Sequence, residues 1–284
     1  MATQSWGESD PLEKAKQTLR AMLPQAMLNW REAHYFGKYG EVEMHLLKFL
    51  CRRDQDAIDV GANYGGYVHF MRHYARRVIA FEPVPEFAEL LRRKFPRDVM
   101  IKSIALSGRA GEAELYMPMI DGVMVSGCST ISVVASLAYP AHRVLKVRTD
   151  RLDSVYGDGT AGFIKIDVEG HEQAVLDGAV ETIDRCRPRV LVEIDQHLSP
   201  GGLERAEGYF SRLGYRGHYV HRGRLERIEE FSLADLQNPA NKTDLTVSLR
   251  ERPRVEDYVN NFIFLPPGEP QETLDKIRKR LAKL

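Results

Sequence analysis

Three short segments of this 284-residue sequence contain carboxylates, glycines and a histidine, and the spacing of these residues is typical of a site that binds a small molecule. The first runs from Asp59 to Gly65 after an apolar stretch, which predicts a strand, a glycine-rich turn and then a helix. Gly61 and Gly65 allow left-handed backbone conformations and a close approach to a ligand. Asn63 stands where a dinucleotide-binding turn has its middle glycine, so the match to a pyrophosphate site is imperfect.

The second segment is Phe81-Glu82-Pro83, at the end of the next predicted strand. A carboxylate roughly 20 residues after such a turn accepts hydrogen bonds from ribose hydroxyls in nucleotide-binding folds. The turn and Glu82 together therefore predict a cofactor that contains adenosine. The alternative is a glycine turn that only caps a helix, followed by a glutamate at the surface.

The third segment places Asp167, Glu169 and His171 after the apolar residues Ile164 and Ile166. Ligands of open α/β sheets bind at the carboxyl ends of strands, and alternation along a strand would put both carboxylates on one side. These three residues are our candidate catalytic residues. Each of them alone would also fit a solvated turn or a helix cap.

A fourth group of polar residues follows the next apolar strand, at Glu193 and Asp195. If that strand neighbours the previous one, either carboxylate would face the same cleft as Asp167, and the oxygens could hold a divalent cation such as Mg²⁺. Unpaired loop charges are the alternative, and we favour them over a metal.

The elements that position these residues alternate between short apolar strands and amphipathic helices from residue 57 onward, which predicts an α/β fold with a parallel sheet. The predicted strands are 57–60, 78–81, 99–104, 162–168, 189–194, 215–220 and 260–265. Strands 113–117 and 144–149 break this rhythm. They flank a loop rich in glycine and serine, so we interpret residues 121–140 as an insertion near the active face.

The chain divides into three predicted parts: an N-terminal helical cap (1–54), the main domain (55–268) and a C-terminal amphipathic helix (269–284). Pro11 is predicted to open the first helix of the cap, and Pro24 to interrupt it. The last helix has apolar residues at Leu274, Ile277 and Leu281 beside several basic ones. Such a helix could contact an anionic membrane peripherally, or it could pack on its own domain.

Composition excludes some classes of protein. Forty Lys and Arg balance forty Asp and Glu, so nucleic acid is disfavoured as a partner because its binders usually carry a basic excess. The three cysteines lie far apart, which indicates neither a disulfide framework nor a zinc site. There is no apolar run like that of a signal peptide or a membrane span, so we expect a cytoplasmic protein.

The three motifs in this order resemble the FkbM family of S-adenosylmethionine-dependent methyltransferases. The resemblance covers roughly residues 40–265, and its most specific part is the run Lys-Ile-Asp-Val-Glu-Gly-His-Glu at 165–172. It implies a class I methyltransferase (Rossmann-like) fold with a seven-stranded, mostly parallel sheet, its last strand antiparallel, and helices on both faces.

The resemblance also implies roles for individual residues. Asp59, Gly61, Asn63 and Gly65 would line the methionine and ribose part of the cofactor, Glu82 would bind the ribose hydroxyls, Pro83, Ser103 and Ile104 would flank the adenine, and Asp167 would lie near the sulfonium. Members of the family typically methylate hydroxyls of sugars, glycolipids or polyketide-like natural products. The acceptor is therefore expected to be a small molecule or a glycan.

An alcohol must lose its proton as it attacks a methyl group, and the pKa of histidine near 6.5 suits His171 as the base. Asp167 or Glu169 would orient it or hold the acceptor hydroxyl. A cation at Asp167 that acidifies the hydroxyl is the rival mechanism. The competing functions are a catalytically silent partner subunit, a methyltransferase for nitrogen or nucleic acid, and an oxidoreductase, which Asn63 disfavours. A homo-oligomer is compatible with all of them.

Overall fold

The computed structural model describes residues 24–120, 123–124, 127–138, 141–242 and 257–284. The predicted helix at Pro11 lies outside these residues, as do 121–122, 125–126 and 139–140 of the predicted insertion. The strands are β1 Asp56–Val60, β2 Arg77–Phe81, β3 Val99–Lys102, β4 Ala105–Leu106, β5 Gly111–Ile120, β6 Val123–Met124, β7 His142–Asp150, β8 Ala161–Ile166, β9 Arg189–Glu193, β10 Arg216–His221, β11 Arg224–Arg227 and β12 Asn261–Leu265.

The helices are short and lie mostly between strands. They are α1 Gln25–Tyr39, α2 Leu47–Leu50, α3 Gly66–Met71, α4 Pro85–Lys94, α5 Val133–Ser136, α6 Leu152–Tyr156, α7 Glu172–Asp177, α8 Val180–Cys186, α9 Gly202–Arg212, α10 Leu233–Leu236 and α11 Gln271–Leu281. Single 3-10 turns occupy Val42–Leu46, Ile228–Glu230 and Pro239–Asn241.

The main sheet has eight strands in the order β11-β10-β12-β9-β8-β1-β2-β3. The strands from β9 to β3 are mutually parallel, whereas β12 is antiparallel to both β9 and β10. The predicted α/β architecture with a mostly parallel sheet is confirmed. The predicted count of seven strands is wrong, because β11 forms a hairpin with β10 and adds an eighth.

Both faces of this sheet are buried, as parallel strands with covering helices require. Ile58, Val60 and Ile164 contribute to the core on one face. Ala57 and Phe163 contribute to the core on the other face. Since side chains alternate along a strand, polar residues at odd-numbered positions of β1 and β8 extend from the second face at the carboxyl ends of the strands.

The C-terminal helix packs on this second face. Ile277 and Leu281 are buried in the same core as Leu47 and Leu50 of α2. The predicted apolar face of α11 therefore packs on its own domain, as one of the two sequence interpretations expected, and peripheral membrane contact stays a prediction. The boundaries at 54 and 268 stay predictions, but the described residues on either side of them share one core. No helix among the described residues is long and apolar enough to cross a membrane.

A second sheet, in the order β4-β7-β5-β6, accounts for the interruption in the alternating pattern. Its long hairpin of β5 and β7 contains the two predicted strands 113–117 and 144–149. Leu115, Met117 and Val147 pack against Val84 and Phe87 at the start of α4. The hairpin that flanks the predicted insertion thus borders the carboxyl end of β2, and Ile131 of the insertion packs against the same cluster.

Helices α7 and α8 are separated at residues 178 and 179. A Cβ atom on Gly178 would lie 2.1 Å from the backbone oxygen of Ser107, so the chain needs a glycine there to pass the strand connection.

Candidate active site

The glycine-rich turn after β1 has the left-handed conformations that its sequence predicts. Gly61, Asn63 and Gly65 have φ of 81°, 47° and 82°, and Gly65 precedes the first residue of α3. A Cβ atom on Gly61 would lie 1.9 Å from the backbone oxygen of Asp167. The turn therefore packs directly on the end of β8, and the first and third sequence motifs meet.

This contact predicts different results for two glycine-to-alanine substitutions. Gly61→Ala should lower the free energy of unfolding by roughly 2–4 kcal/mol, because it combines a strained backbone with an overlap against the main chain. Gly208→Ala should raise it by about 0.5–1 kcal/mol, since Gly208 is an exposed residue of α9 with open space around it. Urea unfolding of both variants measures the difference, and equal stabilities would contradict the assigned packing.

The carboxylate of Glu82 is fixed at the end of β2. Its two oxygens accept hydrogen bonds from the backbone N–H groups of Asn63, at 2.7 Å, and Val84, at 2.8 Å. Burial raises the pKa of Glu82 to about 7, although both hydrogen bonds favour the ionised form. Because a carboxylate oxygen can accept more than one hydrogen bond, Glu82 can still accept from a ligand in the adjacent cleft.

A cleft that holds about 620 Å³ of space, part of it open to solvent, lies between the ends of β1, β2 and β8 and the second sheet. Eight of the predicted site residues line it: Gly61, Asn63, Glu82, Pro83, Ile104, Asp167, Glu169 and His171. The apolar residues Phe87 of α4, Leu115 of β5 and Ile131 of the inserted segment also line it, and none of them was predicted from the sequence. The only signal for them was their position in elements that flank the site.

Three predicted cofactor-binding residues do not line the cleft. Asp59 is buried beneath its floor, and Ser103 is exposed. Gly65 packs against Leu91 and Phe95, where an added Cβ atom would lie 2.7 Å from the nearest leucine carbon. Gly65 therefore contributes to the conformation of the turn, and Asp59 to the buried residues that support it. No contact in the described part of the chain places Ser103 at a ligand.

Lys165 is a buried cation beneath the site. Its ammonium lies 2.8 Å from Asp167 Oδ2 and 4.0 Å from Asp59 Oδ1, and it stacks on the ring of Tyr67 at 4.6 Å. Burial opposes its charge, but Asp167 and Asp59 outweigh burial and raise the pKa of Lys165. Burial raises the pKa of Asp59 to about 6, against the pull of Lys165, and Asp59 Oδ1 has no hydrogen-bond partner in the described part of the chain.

Besides its contact with Lys165, Asp167 lies close to two further carboxyl groups, those of Glu169 and Glu193. One oxygen each of Asp167, Glu169 and Glu193 lies within 4.8 Å of the others. Glu169 is no longer in a strand: it has φ of 52° and precedes Gly170, with φ of 91°. A turn, not strand alternation, therefore brings Glu169 beside Asp167. We call these three residues the acidic cluster.

Asp195, the other residue considered with Asp167 for a cation, does not join the acidic cluster. Its carboxylate accepts hydrogen bonds from Lys242 at 2.6 Å and from Tyr258 at 2.8 Å. Burial works to raise the pKa of Asp195, but the hydrogen bond and charge of Lys242 outweigh it and lower that pKa. Asp195 is thus already paired as an anion.

His171 lies at the start of α7, and its Nε2 is 3.0 Å from Ser107 Oγ. Burial lowers the pKa of His171, so the ring is neutral at pH 7. Among the described residues it has no hydrogen bond to Asp167 or Glu169, so the structure places the three predicted catalytic residues in one cleft without joining His171 to the acidic cluster. Its role as the base stays a prediction.

The strand order β3-β2-β1-β8-β9-β12-β10, with β12 reversed and a glycine turn after β1, defines a class I methyltransferase fold. The chain belongs to a particular family within that class. The model of the FkbM methyltransferase domain matches residues 59–216, more than half of the sequence. The predicted family is confirmed.

Solved structures give weaker likenesses. The methyltransferase FkbM of Methylobacillus flagellatus KT is 14% identical, with a TM-score of 0.45 over 75% of this chain and 44% of that one. This chain thus spans less than half the length of that protein. An rRNA methylase of Streptococcus thermophilus is 8% identical, with a TM-score of 0.41 over 79% of this chain and 93% of that one. No match was found among curated proteins.

Proposed function

We propose that the protein is an S-adenosylmethionine-dependent O-methyltransferase that acts on a hydroxyl of a sugar, a glycolipid or polysaccharide, or a polyketide-like natural product. The observation that carries the proposal is the buried carboxylate of Glu82, which Asn63 and Val84 fix in a cleft that Asp167 also lines. The family supports methyl transfer, and the alternatives are a silent cofactor-binding subunit and a different acceptor class.

The residues of the cleft suit an adenosine cofactor. Glu82 offers acceptors to ribose hydroxyls, and Asn63 Oδ1 is buried beside it with no partner among the described residues. Phe87 and Ile104 offer apolar surface for an adenine ring. When bound, S-adenosylmethionine would supply an electrophilic methyl group, and Asp167 is the charged residue we expect nearest to it.

The acceptor side of the proposal rests on the acidic cluster. Carboxyl groups offer oxygen acceptors, so they suit a molecule rich in hydroxyl donors. An acidic cluster is not the basic surface that binds phosphates, so it favours a glycan or small molecule over nucleic acid. In this proposal the neutral imidazole of His171 removes the proton of the attacking hydroxyl. Unchanged turnover from pH 6 to 9 in a His171→Ala variant would contradict that role.

Calorimetric titration tests the cofactor directly. The purified protein should bind S-adenosylhomocysteine, the demethylated product, at micromolar concentration and should not bind NAD under the same conditions. Because ribose hydroxyls favour the ionised form of Glu82, whose pKa is about 7, the affinity should rise about tenfold from pH 6 to pH 8. Binding of NAD alone, or no binding at either pH, would overturn the proposal.

A further inference from the structure

We propose that the acidic cluster, with Asn261 beside it, is a binding site for one divalent cation that prefers oxygen ligands, such as Mg²⁺ or Mn²⁺. The three carboxylate oxygens within 4.8 Å of one another have a spacing that a single ion can bridge at ordinary metal–oxygen distances. The cluster lies at the ends of β8 and β9, next to the cleft.

The first independent support comes from Asn261. It pairs directly with Glu193 across the antiparallel strands β12 and β9, so both side chains extend from the same face of the sheet. Its amide nitrogen donates to Glu41 at 3.2 Å, but its carbonyl oxygen is buried and finds no partner in the described ranges of the chain. Leaving such an oxygen unpaired is unfavourable, and a cation is a ligand that would pair it.

Charge is the second support. Glu169 and Glu193 are half-buried beside Asp167. Lys165, the cation beside them, is already bound to Asp167 Oδ2. Asn260 donates to Glu193 Oε1 at 2.6 Å but carries no charge. The cluster therefore joins three carboxyl groups to one neighbouring cation, and a divalent ion would bind them as carboxylates by displacing any protons they hold.

Asp195 provides a comparison within the same protein. It is a carboxylate just beyond the end of β9, but Lys242 and Tyr258 donate hydrogen bonds to it. Asp195 thus has a cation of its own, whereas the described salt bridge to the acidic cluster is the one from Lys165 to Asp167, and Lys242 acts on Glu169 only through its charge. Carboxyl groups that lack a cation of their own, as Glu169 and Glu193 do in the described salt bridges, are those expected to bind an added one.

The use of this ion rests on the proposed function. A cation at Asp167 would coordinate the acceptor hydroxyl and lower its pKa, which eases its deprotonation at neutral pH. Cation binding itself does not depend on that function, so the two can be tested separately.

The test is a titration of metal-stripped protein with Mn²⁺, followed by electron paramagnetic resonance of the free ion. We expect one saturable site per chain in the wild type. Glu193→Gln should weaken the affinity at least tenfold, whereas Glu272→Gln, at a largely exposed carboxylate of α11, should leave it unchanged. No saturable site, or equal affinity in all three proteins, would overturn the inference.

Thermal unfolding guards against a folding defect and adds a second readout. Mn²⁺ should raise the Tm of the wild type but not that of Glu193→Gln. Without metal, the variant should have a Tm no lower than that of the wild type, because the substitution removes one of three acidic groups that lie close together. A variant that unfolds earlier without metal would show that Glu193 is structural and would contradict the inference. If the protein bound Mn²⁺ but not S-adenosylhomocysteine, only the proposed function would be refuted. If it bound S-adenosylhomocysteine but not Mn²⁺, only the cation site would be refuted.

Discussion

Replacing Glu82 with glutamine should weaken the binding of S-adenosylhomocysteine by at least about a hundredfold. The carboxylate now accepts one hydrogen bond on each oxygen, from Asn63 and Val84. Glutamine has a single acceptor oxygen, so its NH₂ group would face one of these N–H donors. Hydrogen bonds to a charged group contribute about 1.5–3 kcal/mol each, and two ribose hydroxyls would lose theirs, which exceeds the roughly 2.7 kcal/mol that a hundredfold loss requires.

The measurement is calorimetric titration of Glu82→Gln beside Glu89→Gln. Glu89 is also a glutamate near the start of α4, but it is largely exposed and pairs with Arg92 at the surface, so its variant should bind as the wild type does. The circular dichroism of both variants should match the wild type at the temperature of the titration. A Glu82→Gln protein that is folded and binds with unchanged affinity would contradict the assignment of the ribose site.

The parts of the site that could be predicted from sequence are those where local geometry demands a residue type. Gly61 is required by a left-handed turn against the oxygen of Asp167, and Glu82 and Asp167 come directly after apolar strands. Each of these signals lies within a few residues of its motif. The alternation of strands and helices predicted a mostly parallel sheet, and the family resemblance implied its antiparallel last strand.

The supporting residues could not be predicted, because topology brings them from distant parts of the chain. Glu41 precedes the first strand by 15 positions, and Asn261 begins the last one, yet they share a hydrogen bond. Lys165 was visible as a charge inside an apolar run, but nothing local shows that its partners are Asp59 and Asp167. Such partnerships depend on the register between neighbouring strands, which the sequence does not state.

The eighth strand, β11, could not be predicted from the sequence for a different reason. Three of its four residues are charged, so it has little of the apolar alternation by which a strand is recognised. It forms because Arg222 and Gly223 have φ of 47° and 71°, as the two central residues of a tight hairpin turn require. Arginine is a poor signal for that conformation, which asparagine or glycine usually supplies.

Replacing Lys165 with methionine should lower the free energy of unfolding by about 3–5 kcal/mol at pH 8, because it removes the buried cation that lies against the carboxylates of Asp59 and Asp167. Lys146→Met is the matched control. Lys146 is exposed on β7, so its variant should stay within about 0.5 kcal/mol of the wild type. Urea unfolding measures both, and equal losses would contradict a supporting role for Lys165.

The deficit of Lys165→Met should depend on pH in a direction that follows from Asp59. Burial already raises the pKa of Asp59 to about 6, and losing Lys165 removes the group that lowers it, so the folded variant retains this proton to higher pH than the unfolded chain. Stability then falls as pH rises from about 4 through that raised pKa, and the deficit should be smaller at pH 5 than at pH 8. Adding Asp59→Asn should recover part of the loss at pH 8 and little at pH 5. A deficit independent of pH would mean that lost packing on Tyr67, and not charge, is what Lys165 contributes.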